Sequence, residues 1–239
     1  MNKLLLEIIE AHGGLNRWRN FSRLEATTVT DSALRSIKGL AQDDHPREVM
    51  LWLHEERVRL KPFGDPYWRC DFTPDRVTIS ASDDAVVDDR HDPRAIFVRH
   101  DGVTPWDPLD LGYFEGYALW TCLNVPFVLT MPGVDVWETD PWDENGEIWR
   151  VLRARFPDTI TTFRTDQDFF FSEDLLLRRH DYHLDIAAGF DAVHLMFDYI
   201  QANGINFPTR RRVYGRGPDR RPLLAPLMVS IDVSNVRFI

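Results

Sequence analysis

The chain has 239 residues, of which 44% are hydrophobic and 12% aromatic, and its formal net charge at pH 7 is −10. This length suits one all-β barrel or sandwich domain with a large core, and the composition excludes an intrinsically disordered chain. The negative charge disfavours nucleic acid and anionic membranes as partners, because most of the surface would repel phosphate groups. We therefore predict a single domain over residues 1–239 that does not bind nucleic acid.

The first predicted element is an amphipathic helix. Asn2 is placed to cap a helix over residues 3–11, and the glycine pair that follows ends it. A second short helical turn completes a helical segment over residues 1–20. Glu7 interrupts the apolar run too early for a secretion signal or a membrane span. We therefore expect a cytoplasmic protein without stable membrane insertion.

Strand-like runs begin at Arg23. The segment 49–60, VMLWLHEERVRL, has the clearest alternation of side chains in the chain. We interpret it as one strand whose two faces differ. One face carries Met50, Trp52, His54, Glu56, Val58 and Leu60.

An insertion at residues 91–133 interrupts the strands. Residues 91–108 are rich in proline and charge, so we expect an irregular excursion there. Apolar residues then recur at spacings of three and four, which predicts a helix from Pro108 to about Asn124. Its Tyr113, Tyr117 and Trp120 would either form a lid over an apolar ligand or belong to an ordinary core.

Four successive antiparallel strands are predicted over residues 166–214. The polar turn at residues 172–174, the segment Ala187–Gly189 and the pair Asn203-Gly204 supply the three reversals. Both faces of these strands are partly apolar. The pattern indicates a sheet that is covered on both sides or curved around something.

The chain as a whole is predicted to be mainly β, with some α-helix. About eleven strands follow one another in hairpins, and consecutive strands usually pair, so we expect a large antiparallel sheet. A sheet of this width must curl, split or close. We predict an incomplete barrel whose concave face is filled by the N-terminal helix and the central helical insertion.

Several segments resemble the LolA/LppX family, the half-barrels of periplasmic lipoprotein carriers and related lipid-binding proteins. The opening helix ends in AHGGLNRW, and FFFSEDLLLRRHDYH precedes a strand that ends in FDYIQANGINFPTRRRVYGR. The chain closes on a strand that contains SIDVSNVRF, so the motifs cover about residues 11–30 and 167–239. The resemblance implies a half-barrel with a hydrophobic cavity.

Titratable residues on strand faces are the candidates for catalysis in such a cavity. Histidine and aspartate act as general acids or bases where burial shifts their pKa values. The alternative is a cross-strand polar ladder, or a partly solvated pair at a strand end. The candidates are His54, His180, His183, His194 and Asp198, with Glu56, Asp181 and Tyr182 beside them.

Two histidines and one carboxylate of this set could bind iron or zinc, but their spacing along strands is not diagnostic of a metal site. The chain has no zinc-finger, HExxH, EF-hand, Rossmann or P-loop spacing, so we predict neither metal nor cofactor. Cys70 and Cys122 are expected to be buried, reduced thiols. The arginines of the segments 210–212 and 216–221 are interpreted as a solvated strand edge.

Three functions are compatible with these patterns. The first is binding of a hydrophobic small molecule, such as a lipid, an isoprenoid or a polyketide. The second is an enzyme that uses the same cavity to isomerise, cyclise or hydrolyse a hydrophobic metabolite, and the third is a structural module with a packed interior. No particular protein partner is indicated. The residues predicted to contact the ligand are Met50, Trp52, Tyr113, Tyr117, Trp120, Phe169, Phe171, Tyr182 and Met196.

Overall fold

The computed structural model describes residues 2–186 and 189–239, and its main feature is one antiparallel sheet of 13 strands. Within these residues the two edge strands of the sheet do not pair with each other, so the sheet stays open. The predicted fold class, an incomplete barrel formed by a large curved antiparallel sheet, is confirmed. In chain order the strands are β1 (Arg23–Asp31), β2 (Arg47–Trp52), β3 (Val58–Lys61), β4 (Arg69–Thr73), β5 (Arg76–Ser80), β6 (Val86–His91), β7 (Asp135–Glu144), β8 (Glu147–Arg155), β9 (Asp166–Phe171), β10 (Leu177–Leu184), β11 (Phe190–Ala202), β12 (Ile205–Arg216) and β13 (Pro222–Phe238).

The helices begin at the caps that the sequence supplies. Asn2 Oδ1 accepts a hydrogen bond from Leu5 N at 3.3 Å, and Asp107 and Asp110 form a capping box at the start of the longest helix. Both predicted helices are therefore confirmed. No helix in the described ranges has the length and apolarity that crossing a lipid bilayer requires. The α-helices are α1 (Lys3–Ala11), α2 (Leu15–Arg19), α3 (Ala33–Ile37) and α4 (Pro108–Asn124).

Two meanders meet at the centre of the sheet. The strand order is β6-β5-β4-β3-β2-β1-β13-β12-β11-β10-β9-β8-β7, so all neighbours except β1 and β13 are consecutive in the chain. The antiparallel pairing of β1 with β13 places Thr28 opposite Val233 and joins the two halves. Helix α4 belongs to the connection between the meanders. Its buried side chains belong to the main core, which places it against the inner side of the sheet.

Helix α4 packs closely on the side that faces β4 and β5. A Cβ atom at Gly112 would lie 2.7 Å from Cys70 Sγ, and a Cβ atom at Gly116 would lie 2.2 Å from Phe72 Cγ. Phe72 is itself 1% exposed and packs on Tyr113, so its ring has little room to withdraw. The two glycines thus allow the helix backbone to approach the sheet on this side.

Replacing Gly116 by alanine is expected to destabilise the fold by about 2 kcal/mol, because the new methyl group overpacks against Phe72. The clash itself costs more than this, but alanine favours the helix over glycine by about 1 kcal/mol, which reduces the net loss. Urea unfolding at pH 7 measures the effect, and Phe72→Leu in the same chain should recover part of it. Gly215→Ala is the matched control, since its Cβ would meet Leu223 Cδ1 at an ordinary 3.6 Å. A Gly116→Ala protein as stable as the control would contradict the close packing of α4.

The convex face carries a buried cluster of its own across β7, β8 and β9. Trp149 and Phe170 belong to it, and Trp142 packs against it. The guanidinium of Arg179 lies 4.9 Å from the Trp142 ring centre and 4.6 Å from that of Phe170, and its Nε is 2.6 Å from Asp181 Oδ1. The apolar character of both faces over residues 166–214 reflects this cluster on one side and the main core on the other.

The run at residues 49–60 is not one strand, and this prediction is corrected. Strand β2 ends at Trp52, residues 53–57 turn, and β3 returns beside β2. In β2, Val49 and Leu51 are buried, whereas Met50 and Trp52 are only half-buried. Alternation counted through a turn therefore assigned Met50 and Trp52 to the inner face, although they lie on the outer one. The extra strand accounts for part of the difference between the predicted and observed strand numbers.

Three other local predictions change. The pattern of residues 24–40 predicts one bent strand or two strands joined at Asp31-Ser32, but this segment forms β1 followed by α3. The pattern of residues 159–164 allows another strand, and the described structure has none there. Asp198 adopts a positive φ of 55° within β11; its exposed carboxylate pairs with Arg210, and the ring of Tyr199 packs on His12. The predicted reversal at Ala187–Gly189 lies outside the described residues except for Gly189.

Candidate ligand-binding site

A mostly apolar cavity of about 60 Å³ lies between α4 and the central strands β1, β13, β12, β11 and β10. The sheet forms one wall, and α3, α4 and the loop segments beside them form the other. The apolar and aromatic residues of the wall are Leu34, Leu40, Trp106, Leu111, Phe114, Ala118, Leu119, Phe163, Tyr182, Val213, Val229 and Ile231.

The cavity exists because α4 packs unequally on its two sides. Leu111, Glu115, Ala118 and Cys122 follow one another at spacings of three and four, so they share one face of the helix, and all four line the cavity. The glycines of α4 lie on another side, where the helix touches β4 and β5. Close packing on that side holds the helix away from the central strands, and the small side chain of Ala118 leaves part of the gap empty.

A surface groove of about 640 Å³ lies outside the cavity. Arg35, Leu40, Arg47 and Leu111 line both the groove and the cavity. A single layer of side chains therefore separates the two spaces.

Glu115 joins the two arginines of this layer into one buried ion-pair network. Arg35 Nη2 donates to Glu115 Oε1 at 2.8 Å, and Arg47 Nη1 donates to Glu115 Oε2 at 2.5 Å. Arg47 also pairs with Asp43, so two positive charges meet two negative ones. Arg35, Arg47 and Glu115 are each at most 9% exposed. Loss of one member would leave a buried charge unpaired, which is costly.

Polar side chains from β10, β11 and α4 meet at the inner end of the cavity. His180 and His194 are cross-strand neighbours, and one N or S atom from each of His180, His194 and Cys122 lies within 4.8 Å of the others. His180 Nε2 is 2.7 Å from Gln167 Oε1, and the amide nitrogen of Gln167 donates to the carbonyl oxygen of Arg164 at 2.8 Å. The carbonyl fixes the orientation of the amide, so His180 carries its proton on Nε2 and keeps an unpaired lone pair on Nδ1.

Arg211 lies on β12 beside these groups. It shares a strand face with Val213 and lies opposite Ile231 of β13, and both neighbours line the cavity. Arg211 is 1% exposed, and neither its Nε nor its Nη1 has a hydrogen-bond partner. The interpretation of all three arginines at 210–212 as a solvated edge is therefore wrong for Arg211.

Burial keeps the other polar groups of the inner end neutral. Desolvation lowers the pKa values of His180 and His194 well below the usual range, and the positive charge of Arg211 adds to the effect. Desolvation raises the pKa of the Cys122 thiol to about 12. At neutral pH the histidines are poor proton acceptors and the thiol is not ionised, so none of these three groups is an activated base or nucleophile. A metal ion would require the thiolate and would be repelled by Arg211.

The structure brings together only part of the residue set predicted from the sequence. Tyr182 and His194 line the cavity, and His180 lies at its inner end. Phe169, Phe171 and Met196 are buried on the same side of the sheet, where Phe169 stacks on His180 at 4.2 Å between ring centres.

The aromatic series of α4 lies outside the cavity wall. Tyr113 packs on Phe72, Tyr117 packs on Phe163, and Trp120 Nε1 donates to the backbone oxygen of Trp52 at 2.8 Å. These contacts place the three side chains in the close-packed core around α4.

The other predicted catalytic residues lie away from the cavity. His54 is exposed and its Nε2 is 2.9 Å from the backbone oxygen of Phe21, while Glu56 Oε2 accepts a hydrogen bond from Thr161 N at 2.8 Å. Burial raises the pKa of Glu56 to about 7. His183 pairs with Asp191 on the outer side of β10. The predicted catalytic residues therefore do not form one cluster.

No family model matches the sequence, and no curated protein matches it either. Among solved structures, a LolA superfamily protein from Nitrosomonas europaea superposes with a TM-score of 0.57 at 9% identity, over 98% of this chain and 92% of that chain. The fold is LolA-like. A domain described as an outer membrane lipoprotein-sorting protein from Vibrio parahaemolyticus superposes with a TM-score of 0.55 at 10% identity, over 99% and 91% of the two chains. The lipoprotein LppX of Mycobacterium tuberculosis has a TM-score of 0.33 at 12% identity, over 97% and 94%.

Five residues of the site in this LolA-like half-barrel were not among the site residues predicted from the sequence. Strand alternation from Val213 would have placed Arg211 on the inner face, and helical spacing from Leu111 would have placed Glu115 and Cys122 on one face. Nothing local to Arg35 or Arg47 indicates their pairing with Glu115, because the partners are distant in sequence. The five residues are Arg35, Arg47, Glu115, Cys122 and Arg211.

Proposed function

We propose that the protein binds a hydrophobic small molecule, lipid-, isoprenoid- or polyketide-like, in the cavity between α4 and the central strands. The supporting observation is the apolar gap beside Ala118, which α4 leaves open while it packs closely on its glycine side. An apolar space favours an apolar ligand, because binding removes the apolar surface of that ligand from water.

The size of the two spaces sets the extent of the ligand. The cavity of about 60 Å³ is well below the roughly 300–1,000 Å³ of typical small-molecule sites, whereas the groove of about 640 Å³ is within that range. The ligand would lie in the groove and reach the cavity between Arg35 and Arg47, so side chains of the shared layer have to move aside. The similarity to the Vibrio parahaemolyticus structure, which is described as a lipoprotein-sorting protein, agrees with an apolar cargo.

An enzyme acting in the same cavity has less support. His180 and His194 are held neutral with lowered pKa values, and the Cys122 thiol has a raised one. General acid–base catalysis works best when the catalytic pKa is near the working pH. These groups suit contacts with a bound molecule better than proton transfer.

Replacing Ala118 by valine is expected to weaken binding of 1-decanol by about tenfold, because the two added carbons displace about two methylene groups of ligand at roughly 0.8 kcal/mol each. Stability should change by less than about 1 kcal/mol, since the side chain enters an existing gap. Isothermal titration calorimetry measures the affinity and urea unfolding the stability. Ala95→Val, at an exposed position, is the matched control and should bind as the wild type does. Equal binding by both variants would place the ligand elsewhere, and no binding by the wild type would refute the proposed function.

A further inference from the structure

Arg211 is a buried cation for which the described residues supply no counter-ion. Among the described residues it forms no ion pair, and its Nε and Nη1 atoms lack hydrogen-bond partners. The titratable groups that interact with it are the thiol of Cys122 and the hydroxyls of Tyr182 and Tyr199. All three have raised pKa values because of burial and are neutral at pH 7. Its guanidinium carbon lies 5.3 Å from the centre of the Phe207 ring, in a cation–π contact.

Burial of this unpaired guanidinium is unfavourable unless an anion binds beside it. A guanidinium remains protonated in proteins, and burying it unpaired carries a desolvation penalty that a hydrophobic residue of similar size would avoid. Arg211 also presents a planar set of N–H donors that matches a carboxylate.

We propose that Arg211 binds the anionic head group of an amphiphilic ligand whose apolar part occupies the cavity and groove. The inference rests on the proposed function and names the class of its ligand: a long-chain carboxylate. The position of Arg211 supports it, because Val213 and Ile231 next to it line the cavity. Cys122, which lines the cavity, is also one of the groups near Arg211, so a chain that enters past Ala118 would bring its head group towards the guanidinium.

Charge balance favours a single negative charge. One carboxylate neutralises one guanidinium, whereas a dianionic phosphate monoester would leave an excess charge in a buried site. Tyr182 and His194 in the cavity wall can add neutral hydrogen bonds, since His194 Nε2 is buried without a partner.

A metal ion is the competing occupant of this corner. Cys122, His180 and His194 offer three ligand atoms within 4.8 Å of one another. Binding a divalent cation there would add positive charge next to Arg211. A carboxylate would instead neutralise the charge of Arg211, so it is the favoured occupant.

Calorimetric titration of the full chain at pH 7.5 with decanoate, 1-decanol and decylammonium tests the inference. We expect decanoate to bind about 10- to 100-fold more tightly than 1-decanol, in line with a charge-assisted hydrogen-bonded pair. Decylammonium should bind more weakly than either.

In Arg211→Met, decanoate should lose its advantage while 1-decanol binds as before, and Arg211→Gln serves the same purpose if the methionine variant does not fold. Arg212→Met, on the outer face of the same strand and paired with Asp232, should keep the preference for decanoate.

The outcomes separate the inference from the proposed function. Binding of 1-decanol as tight as that of decanoate to the wild type would overturn the role of Arg211 and leave the apolar site intact. Binding of none of the three would overturn both. Preference for decanoate that survives in Arg211→Met would place the head group elsewhere. Stoichiometric Zn²⁺ binding that Cys122→Ser abolishes would assign the corner to a metal and overturn the carboxylate.

Discussion

Replacing Glu115 by leucine is expected to lower the free energy of unfolding by about 3–5 kcal/mol, because the change leaves Arg35 and Arg47 buried without their shared partner. Each arginine loses a direct hydrogen bond to the carboxylate, at 2.8 and 2.5 Å respectively. Arg47 keeps Asp43, and Arg35 keeps the backbone oxygen of Ala41 at 3.2 Å. The residual contacts are on the outer side and do not replace a central carboxylate. Urea unfolding at pH 7 measures the loss.

Two control variants isolate the cause. Arg35→Met and Arg47→Met added to Glu115→Leu remove all three buried charges, and this triple variant should regain most of the stability. Glu138→Gln breaks a half-exposed pair with Arg150 and should cause a much smaller loss. If the single Glu115→Leu protein were as stable as Glu138→Gln, the network could not be the buried layer between groove and cavity.

Acidification is expected to reduce stability by about 3 kcal/mol through His12 alone, a figure that follows from a pKa of about 4 in the fold and about 6.5 when unfolded. Desolvation lowers this pKa, since His12 is 1% exposed at the end of α1. The folded protein therefore binds fewer protons at this group than the unfolded chain does. The contribution is fully present above pH 6.5 and is lost as the pH falls from 6.5 towards 4.

Urea unfolding at pH 7.5 and pH 4.5 in wild type and His12→Gln measures this contribution. His180 and His194 are also buried and neutral, so the wild type should lose more stability than His12 alone explains. The difference in acid-induced loss between the two proteins isolates His12. His45→Gln, at an exposed site, should behave as the wild type does. Identical losses in all three proteins would mean that His12 is not held neutral in the fold.

The sequence predicted those parts of the fold that depend on interactions between residues close together in the chain. Asn2, the glycines after α1 and the pair Asn203-Gly204 act through neighbours in sequence, so the first helix and the β11–β12 hairpin followed from them. The pairing of Thr28 with Val233 joins strands from opposite ends of the chain. No local signal specifies such a contact, and the division into two meanders was therefore not predicted.

The candidate site was less predictable because its residues come from distant segments. His180, His194 and Tyr182 were recognised through strand alternation. Met50 was assigned to the wrong face because the alternation was counted through the turn at residues 53–57. Arg211 was grouped with the two outward-facing arginines on either side of it. It lies two residues from Val213 in the same strand, so strand alternation places it on the inner face with Val213.

A crystal structure of the full chain grown with decanoate tests the central claim most directly. We predict electron density for an alkyl chain between α4 and strands β10–β13, beside Ala118, with the carboxylate within hydrogen-bond distance of the Arg211 guanidinium. The layer formed by Arg35, Arg47 and Glu115 should be displaced from its present position. An unchanged, empty cavity at saturating decanoate would contradict the account, as would a ligand bound only on the convex face.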